Sequence, residues 1–264
     1  MKVLLAITTY NRLDYLKKTL ESWDRTKNPK YKWTVIVADD GSTDGTLEYL
    51  EDFKKHHNTH IIKNSNRGVH YQLNSIFKLC EDLKYKYAFR CEDDVIFKKS
   101  GWDDKYIEAI KKSKYDHLVY SSVERCKKRK TLLDNIKTHP KGLSCVCRKD
   151  DIPGAFWTFT PKVLKKVGYI DMKHFGTCGI GHQDYSYRCA RAGFNDTKYI
   201  YDIENSNDYI DIEIQGYVRA PNPHREKWNC ASLLERKKRD ASTRDIIYVP
   251  YNTLCVDIGF NKVE

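Results

Sequence analysis

The chain has 264 residues, with 47 Lys and Arg against 36 Asp and Glu, and a formal charge of +11. At 40% hydrophobic and 31% charged residues it has the make-up of a folded domain rather than a disordered tail, and it is long enough to bury a sizeable core. No run approaches the roughly 18 consecutive apolar residues of a membrane-spanning helix. The first twelve residues hold an apolar run too short for a signal peptide and no small-residue cleavage site, so the protein is expected to be cytoplasmic, with its domain starting at residue 1. The nine cysteines, an odd number without regular spacing, read as reduced thiols. Cys126, Cys145, Cys147 and His139 do not match a usual zinc spacing.

In chain order, Val3–Ile7 is an apolar run and predicts the first strand, followed by a helix around Leu13–Trp23 with Leu13, Leu16 and Leu20 on one face. Trp33–Ala38 is β-branched and almost wholly apolar, as suits a strand buried on both faces of a parallel sheet. The turn residues Asp39 to Gly45 lead into a helix over Thr46–His56, and His60–Lys63 is a short strand. A helix over Gly68–Tyr85 precedes the strand Tyr87–Cys91, which runs straight into Glu92-Asp93-Asp94. Further on, Trp102–Lys112 predicts a helix, His117–Val123 a strand, Cys145–Cys147 and Ala155–Phe159 strands, and Pro161–Val167 a short helix opened by proline. His182–Ala192 predicts a helix stopped by Gly193, and Ile246–Tyr251 reads as strand-like within a polar, basic C-terminal stretch.

Alternating strands and helices predict an α/β fold with a doubly wound sheet, whose ligand crevice lies at the carboxyl ends of the strands. Asp39-Asp40 and Glu92-Asp93-Asp94 both fall at such ends. Clustered carboxylates repel one another, so their meeting there calls for a cation or for ligand hydroxyls. The expected organisation is one catalytic domain over 1–220, its first hundred residues serving the donor and 101–220 the acceptor, with a basic insertion at 121–150 and a C-terminal basic extension over 221–264.

Three motifs in this order, Ile7-Thr8-Thr9-Tyr10-Asn11-Arg12, Asp39-Asp40-Gly41-Ser42-Thr43-Asp44-Gly45-Thr46 and Glu92-Asp93-Asp94, resemble the family 2 glycosyltransferases of GT-A fold, and the resemblance runs from residue 1 to about Gly193. It implies a Rossmann-like mixed sheet and a transfer from a nucleotide diphosphate sugar to an acceptor hydroxyl, with inversion. It makes Thr8, Tyr10 and Arg12 the lip of the nucleotide pocket and Asp40 the carboxylate that reads the base. An ionised carboxylate is acceptor-only and uracil N3–H is a donor, so a UDP-sugar is the donor of first choice. Asn66-Arg67-Gly68, at a helix start, resembles the segment under the diphosphate, where Arg67 suits phosphate. Glu92-Asp93-Asp94 takes the place of the family's metal-binding Asp-x-Asp (DXD) motif. Asp94 is then the direct ligand of Mn²⁺ or Mg²⁺, with Glu92 or Asp93 reaching the ribose or bound water. His224 would be a later metal ligand.

The segment Gly176 to Arg188 resembles the family's Gly-rich loop and acceptor-side helix, which makes Asp184 the general base, although an Asp there can equally cap the helix. His182 adjoins it as an acceptor-side candidate. Trp157 lies where the family puts its acceptor-facing strand, as a platform for a sugar or a base or as core. Residues 121–150 carry nine basic and three acidic side chains, a net +6 that is more than half the total charge. Lys127, Lys128, Arg129 and Lys130 lead this run, which suits an anionic acceptor: a phosphate-rich glycan, a glycolipid or lipid phosphate at a membrane surface, or nucleic acid. Hydroxymethylated bases of phage DNA are one such acceptor. A non-catalytic basic nucleic-acid-binding protein would explain the charge but not two acidic clusters in a crevice. A nucleotidyltransferase would need a Gly-rich basic signature after its first strand, where Thr8-Thr9-Tyr10-Asn11 stands instead.

Overall fold

The computed structural model describes residues 1–121, 142–147, 152–213 and 231–251, with the backbone alone at 144–147 and 231–236. A five-stranded sheet forms the centre, built from β1 (Lys2–Thr9), β2 (Lys32–Asp39), β3 (Thr59–Lys63), β4 (Tyr87–Glu92) and β7 (Phe156–Phe159) in the order β3-β2-β1-β4-β7. The first four strands are parallel and β7 runs antiparallel to β4, so the sheet is mixed. The register brings the ends level: Thr9 pairs with Asp39, Asp39 with Lys63, and Thr8 with Glu92. The two acidic clusters therefore share one edge of the sheet.

Alternation along each strand sends side chains to two separate cores. Val3, Leu5, Ile7, Val35, Val37 and Phe89 face α1 (Leu13–Thr26), α2 (Thr46–His56) and α4 (Trp102–Ser113), where Leu16, Leu50 and Trp102 meet them. Leu4, Ala6, Ile36, Ala38 and Ala88 face the other way, onto α3 (Val69–Asp82), α5 (Pro161–Val167) and α7 (Gly181–Arg191). A run that is apolar throughout is what this arrangement demands, because neither face of the sheet meets water. The short α6 (Met172–Phe175) leads towards α7, and two antiparallel pairs, β5 (Val95–Phe97) with β9 (Ile210–Ile212) and β6 (Leu143–Cys147) with β8 (Ile200–Ile203), complete the described elements.

The C-terminal extension is laid back on the domain. Its helix α8 (Ala231–Thr243) packs on α7, Ala241 is buried in the second core, and Lys237 Nζ donates to the Phe175 carbonyl at 3.1 Å. Beyond it, Val249 exchanges backbone hydrogen bonds with Val167 and Tyr169, at 3.0 Å each. The expected strand at His117–Val123 is reduced to a single bridge between Val119 and Trp157, its last two residues lying outside the described ones. Among the described residues no helix is long and apolar enough to cross a membrane. The Cys80, Cys91 and Cys189 thiols are free and buried.

Candidate active site

The crevice at the carboxyl ends of β1, β2 and β4 is edged by two laced loops. Asn11, held at φ +50°, donates its N–H to Ser42 Oγ at 2.8 Å and accepts from the Thr43 amide at 2.7 Å. Asp44 accepts from the Leu13 amide at 2.9 Å, tying the start of α1 to the same turn. Asp39 is fully buried, and its carboxylate accepts from the Gly41 and Ser42 amides at 3.1 and 2.9 Å. Side chains of this kind fold back on the backbone two or three residues on, which is why the Asp-Asp-Gly-Ser turn forms.

Asp40 is also buried, and its two oxygens accept from the amides of Arg67 and Gly68 at 2.8 and 2.7 Å. Burial raises its pKa against those hydrogen bonds. The carboxylate thereby holds the 66–68 segment against β2. Thr8 is buried too, and its Oγ accepts from Arg90 Nη2 at 3.0 Å. Tyr10 is half-buried, with its hydroxyl accepting from Asn66 Nδ2 at 3.2 Å. Arg67 is exposed, its guanidinium 4.1 Å from the Tyr71 ring centre.

Glu92, Asp93 and Asp94 are three different environments in three consecutive residues. Glu92 is 39% exposed and lies 3.6 Å from Arg90 Nη1. Asp93 is buried, accepts from Thr9 Oγ at 2.8 Å, and pairs with Arg12 Nη1 at 2.7 Å. Burial pushes its pKa up to about 7, Arg12 opposing and Asp94 adding to the rise. Asp94 takes the other guanidinium nitrogen at 3.0 Å through Oδ2, while its Oδ1 is buried with no hydrogen-bond partner. Its pKa is raised by burial and then by the charge of Glu92.

That orphaned Asp94 oxygen is the test of whether a divalent cation fits here. A buried carboxylate oxygen without a donor is costly, and hard oxygen donors are what Mg²⁺ and Mn²⁺ take. The residues fit such an ion with Asp94 as its protein ligand. Among the described residues no cluster of three or more His, Cys, Asp or Glu side chains is assembled. His224 lies outside the described residues, as do Lys127, Lys128, Arg129 and Lys130.

On the acceptor half two residues singled out in the sequence are buried. Trp157 is 1% exposed and packs among Phe77, His117, Phe159 and Tyr185, so it is core rather than a platform. Asp184 is fully buried: its Oδ2 accepts from Arg188 Nε at 2.7 Å, and both side chains are 0% exposed. Arg188 spends its remaining donors on the carbonyls of Val167 and Tyr169, at 2.6 and 2.7 Å. This pair staples α7 to the end of α5, while Asp184 Oδ1 is left without a hydrogen-bond partner, 3.7 Å from Arg244 Nη1. His182, one turn earlier, is partly exposed, and its ring nitrogens lie 2.8 Å from the Gly179 carbonyl and 3.0 Å from that of Ile152.

The start of α3 packs tightly on the 176–181 segment, where a Cβ on Gly181 would come within 2.6 Å of the His70 ring. Gly68 sits at φ +89°, and a Cβ there would come within 2.6 Å of the Thr177 carbonyl. That carbonyl accepts the His70 amide at 3.0 Å, and His70 Nδ1 lies 2.7 Å from the Gly176 carbonyl. The start of α3 is thus fastened to the Gly-rich loop.

The sequence profile of glycosyl transferase family 2 matches residues 5–174. The chain belongs to that family. An uncharacterized glycosyltransferase of Acanthamoeba polyphaga mimivirus is 29% identical over 221 residues, 80% of this chain and 81% of that protein. The poly-beta-1,6-N-acetyl-D-glucosamine synthase of Staphylococcus epidermidis is 28% identical over 178 residues, 62% of this chain, and the match spans 41% of that enzyme. Among solved structures, S. aureus TarS in complex with UDP superposes with a TM-score of 0.53 at 18% identity, over 72% of this chain and 55% of that one. The mannosyltransferase PcManGT of Pyrobaculum calidifontis, in complex with GDP-Man and Mn²⁺, gives 0.57 at 14% identity, over 75% and 56%. These likenesses establish the GT-A fold.

One residue of this family 2 glycosyltransferase site escaped the sequence reading. Arg90 is buried in β4, donates to the Gly154 carbonyl and to Thr8, and so holds the 152–155 segment beside Glu92. Its signal was a lone arginine inside an apolar strand two residues before the acidic triplet. Such a charge is buried only when something pairs with it.

Proposed function

We propose that this family 2 glycosyltransferase transfers a sugar from a nucleoside diphosphate donor, with UDP-sugars the first choice, to an acceptor hydroxyl with inversion at the anomeric carbon. The observation that carries the reading is the orphaned, buried Asp94 Oδ1 at the end of β4, beside half-exposed Glu92 and level with the β1 and β2 loops. Tyr10 lines the base side of the crevice and Arg67 takes the diphosphate. Glu92 is the exposed carboxylate within reach of donor hydroxyls, and Asp94 ligates the cation. A bound Mn²⁺ or Mg²⁺ would supply positive charge to the departing diphosphate. Asp93, paired with Thr9 and Arg12, sets the position of its neighbour. The named ligands of TarS and PcManGT support a nucleotide donor and a divalent ion.

A thermal-shift panel of UDP-GlcNAc, UDP-glucose and GDP-mannose with and without Mn²⁺ tests this. One nucleotide sugar is expected to stabilise the protein in a Mn²⁺-dependent way, and Asp94→Ala is expected to abolish that dependence. A protein that neither binds nor turns over any of them sinks the reading.

For the acceptor, the net +6 of residues 121–150 supports an anionic partner, whether a phosphate-bearing glycan, a lipid headgroup or nucleic acid. Changing Lys127, Lys128, Arg129 and Lys130 to Ser together should weaken acceptor binding about tenfold or more and flatten its salt dependence. A KM for acceptor that is unchanged across salt concentrations returns the run to a solvated face. Glucosylation of hydroxymethylated against unmodified DNA separates the nucleic-acid acceptor from the rest.

A further inference from the structure

We infer that Thr19 is a positioning residue for the cation site: through the Asp93 carbonyl it fixes the peptide that aims Asp94 Oδ1. This rests on the cation reading above and adds a residue to it. Thr19 lies in the middle of α1, on the buried face that also carries Leu16, Leu20 and Trp23. A threonine inside a helix commonly turns its hydroxyl back onto the carbonyl one turn earlier, as Thr26 does onto Ser22 at 2.7 Å. Thr19 reaches across instead. It is fully buried, and its Oγ donates to the Asp93 carbonyl at 2.7 Å.

The place of that carbonyl is what matters. β4 ends at Glu92 and β5 starts at Val95, so Asp93 and Asp94 are the two residues of the turn between them. The oxygen that Thr19 holds belongs to the peptide joining these two, the middle peptide of the turn. Both residues have negative φ, as a type I turn requires. Rotating the middle peptide by half a turn gives type II, which puts the second residue, here Asp94, at positive φ and re-aims its side chain. The groups on either side are held by backbone. The Glu92 amide donates to the Ala155 carbonyl at 2.8 Å, and the Asp94 carbonyl accepts from the Glu213 amide at 2.9 Å. The middle peptide is held by a side chain.

α1 therefore grips the acidic turn at three points. Arg12, at its start, forks onto the Asp93 and Asp94 carboxylates at 2.7 and 3.0 Å. Ser22, three residues past Thr19 and so on the same face, accepts from the Phe97 amide at 3.1 Å and holds β5. Arg12 holds the charge, Ser22 the strand and Thr19 the peptide between them. The unpartnered Asp94 Oδ1 can serve a divalent cation only while it is aimed at one. Partners that orient a metal ligand are worth about 10- to 100-fold in metal affinity.

The test uses the full chain and follows the binding of UDP or GDP, whichever binds, by equilibrium dialysis as Mn²⁺ is raised. The readout is the Mn²⁺ concentration at half-maximal binding. Thr19→Val keeps the shape and removes the donor, and its midpoint is expected to rise about tenfold, and no less than about threefold. Thr19→Ser keeps the hydroxyl and should stay within about threefold of wild type. Ser22→Ala loses a hydrogen bond from the same helix face; it is expected to melt earlier in a chelator with its Mn²⁺ midpoint unmoved. A purely structural Thr19 would behave like Ser22. A Thr19→Val midpoint less than about threefold above wild type, one matched by Ser22→Ala, or one shared by Thr19→Ser overturns the assignment. Should Thr19→Val fail to fold, Thr19→Cys, whose thiol is a weak donor, takes its place under the same threshold. A wild-type protein whose nucleotide binding ignores Mn²⁺ sinks the cation reading first, and this assignment falls with it.

Discussion

Arg12 Nη1 lies 2.7 Å from Asp93 Oδ1 while Nη2 lies 3.0 Å from Asp94 Oδ2, so one guanidinium bridges the two carboxylates that end β4. The same side chain stacks on Tyr15, 4.4 Å from its ring centre. A planar fork of fixed charge can hold two carboxylates at once in a way that lysine cannot. Arg12 therefore balances charge that a divalent cation would otherwise have to balance alone.

Arg12→Gln should then lower the melting temperature in the presence of a chelator. The loss is on the order of 2 kcal/mol, below the full penalty for breaking a buried pair because the arginine is 25% exposed. Added Mn²⁺ should raise the melting temperature of Arg12→Gln more than that of wild type. Equal Mn²⁺ increments in the two proteins would show that the guanidinium and the ion do not share the carboxylates.

The Asp184–Arg188 pair predicts a structural phenotype rather than a purely kinetic one. Asp184→Asn leaves Arg188 charged and buried with its best acceptor gone, which costs about 3–5 kcal/mol. Denaturant unfolding should report a loss of that size, with Mn²⁺-dependent donor binding retained in the folded fraction. Unchanged stability together with abolished turnover would restore Asp184 to the chemistry.

Asp202, on β8, accepts from Tyr106 Oη at 2.7 Å and is fully buried, and burial pushes its pKa up to about 7. The unfolded chain ionises this group near pH 3.9. Between those values the folded protein holds a proton that the unfolded chain has released. Stability from this group is therefore complete below about pH 4 and is lost as pH rises through 7, at up to about 1.4 kcal/mol per pH unit. Asp202→Asn keeps an acceptor for Tyr106 and removes the titration. Its unfolding free energy should fall less than that of wild type between pH 5 and pH 8. Parallel pH curves would show that the carboxyl is ionised in the fold. Asp93 is raised for the same reason, so the difference between the two proteins isolates Asp202.

How much could be read beforehand follows from where each signal resides. The helices Thr46–His56 and Pro161–Val167 match the expected bounds because their starts are written locally, in a Gly-Thr turn and in a proline at the first helical position. The helix at Ala231–Thr243 was not expected, because it is polar and basic. What holds it is tertiary: Lys237 on the Phe175 carbonyl, and Arg244, just past its end, on Asp171 at 2.6 Å. The same division runs through the site. That Asp39-Asp40 and Glu92-Asp93-Asp94 would meet at one sheet edge was legible, since strand ends fix it. Which carboxylate is open was not, because adjacent residues of equal chemistry are sorted by packing. Asp40 turns onto backbone amides, Asp93 onto Thr9 and Arg12, and only Glu92 keeps substantial exposure. On α7, His182 and Asp184 are two residues apart on a helix and so point to different sides, which leaves one partly exposed and the other in the core.

The contact between Gly68 and Thr177 has a kinetic meaning. With no room for even a methyl group between them, and with His70 bonded to both Gly176 and Thr177, the start of α3 and the Gly-rich loop move as one body. Any ligand that draws the 66–68 segment inward therefore pulls Thr177 and the loop around it along as well.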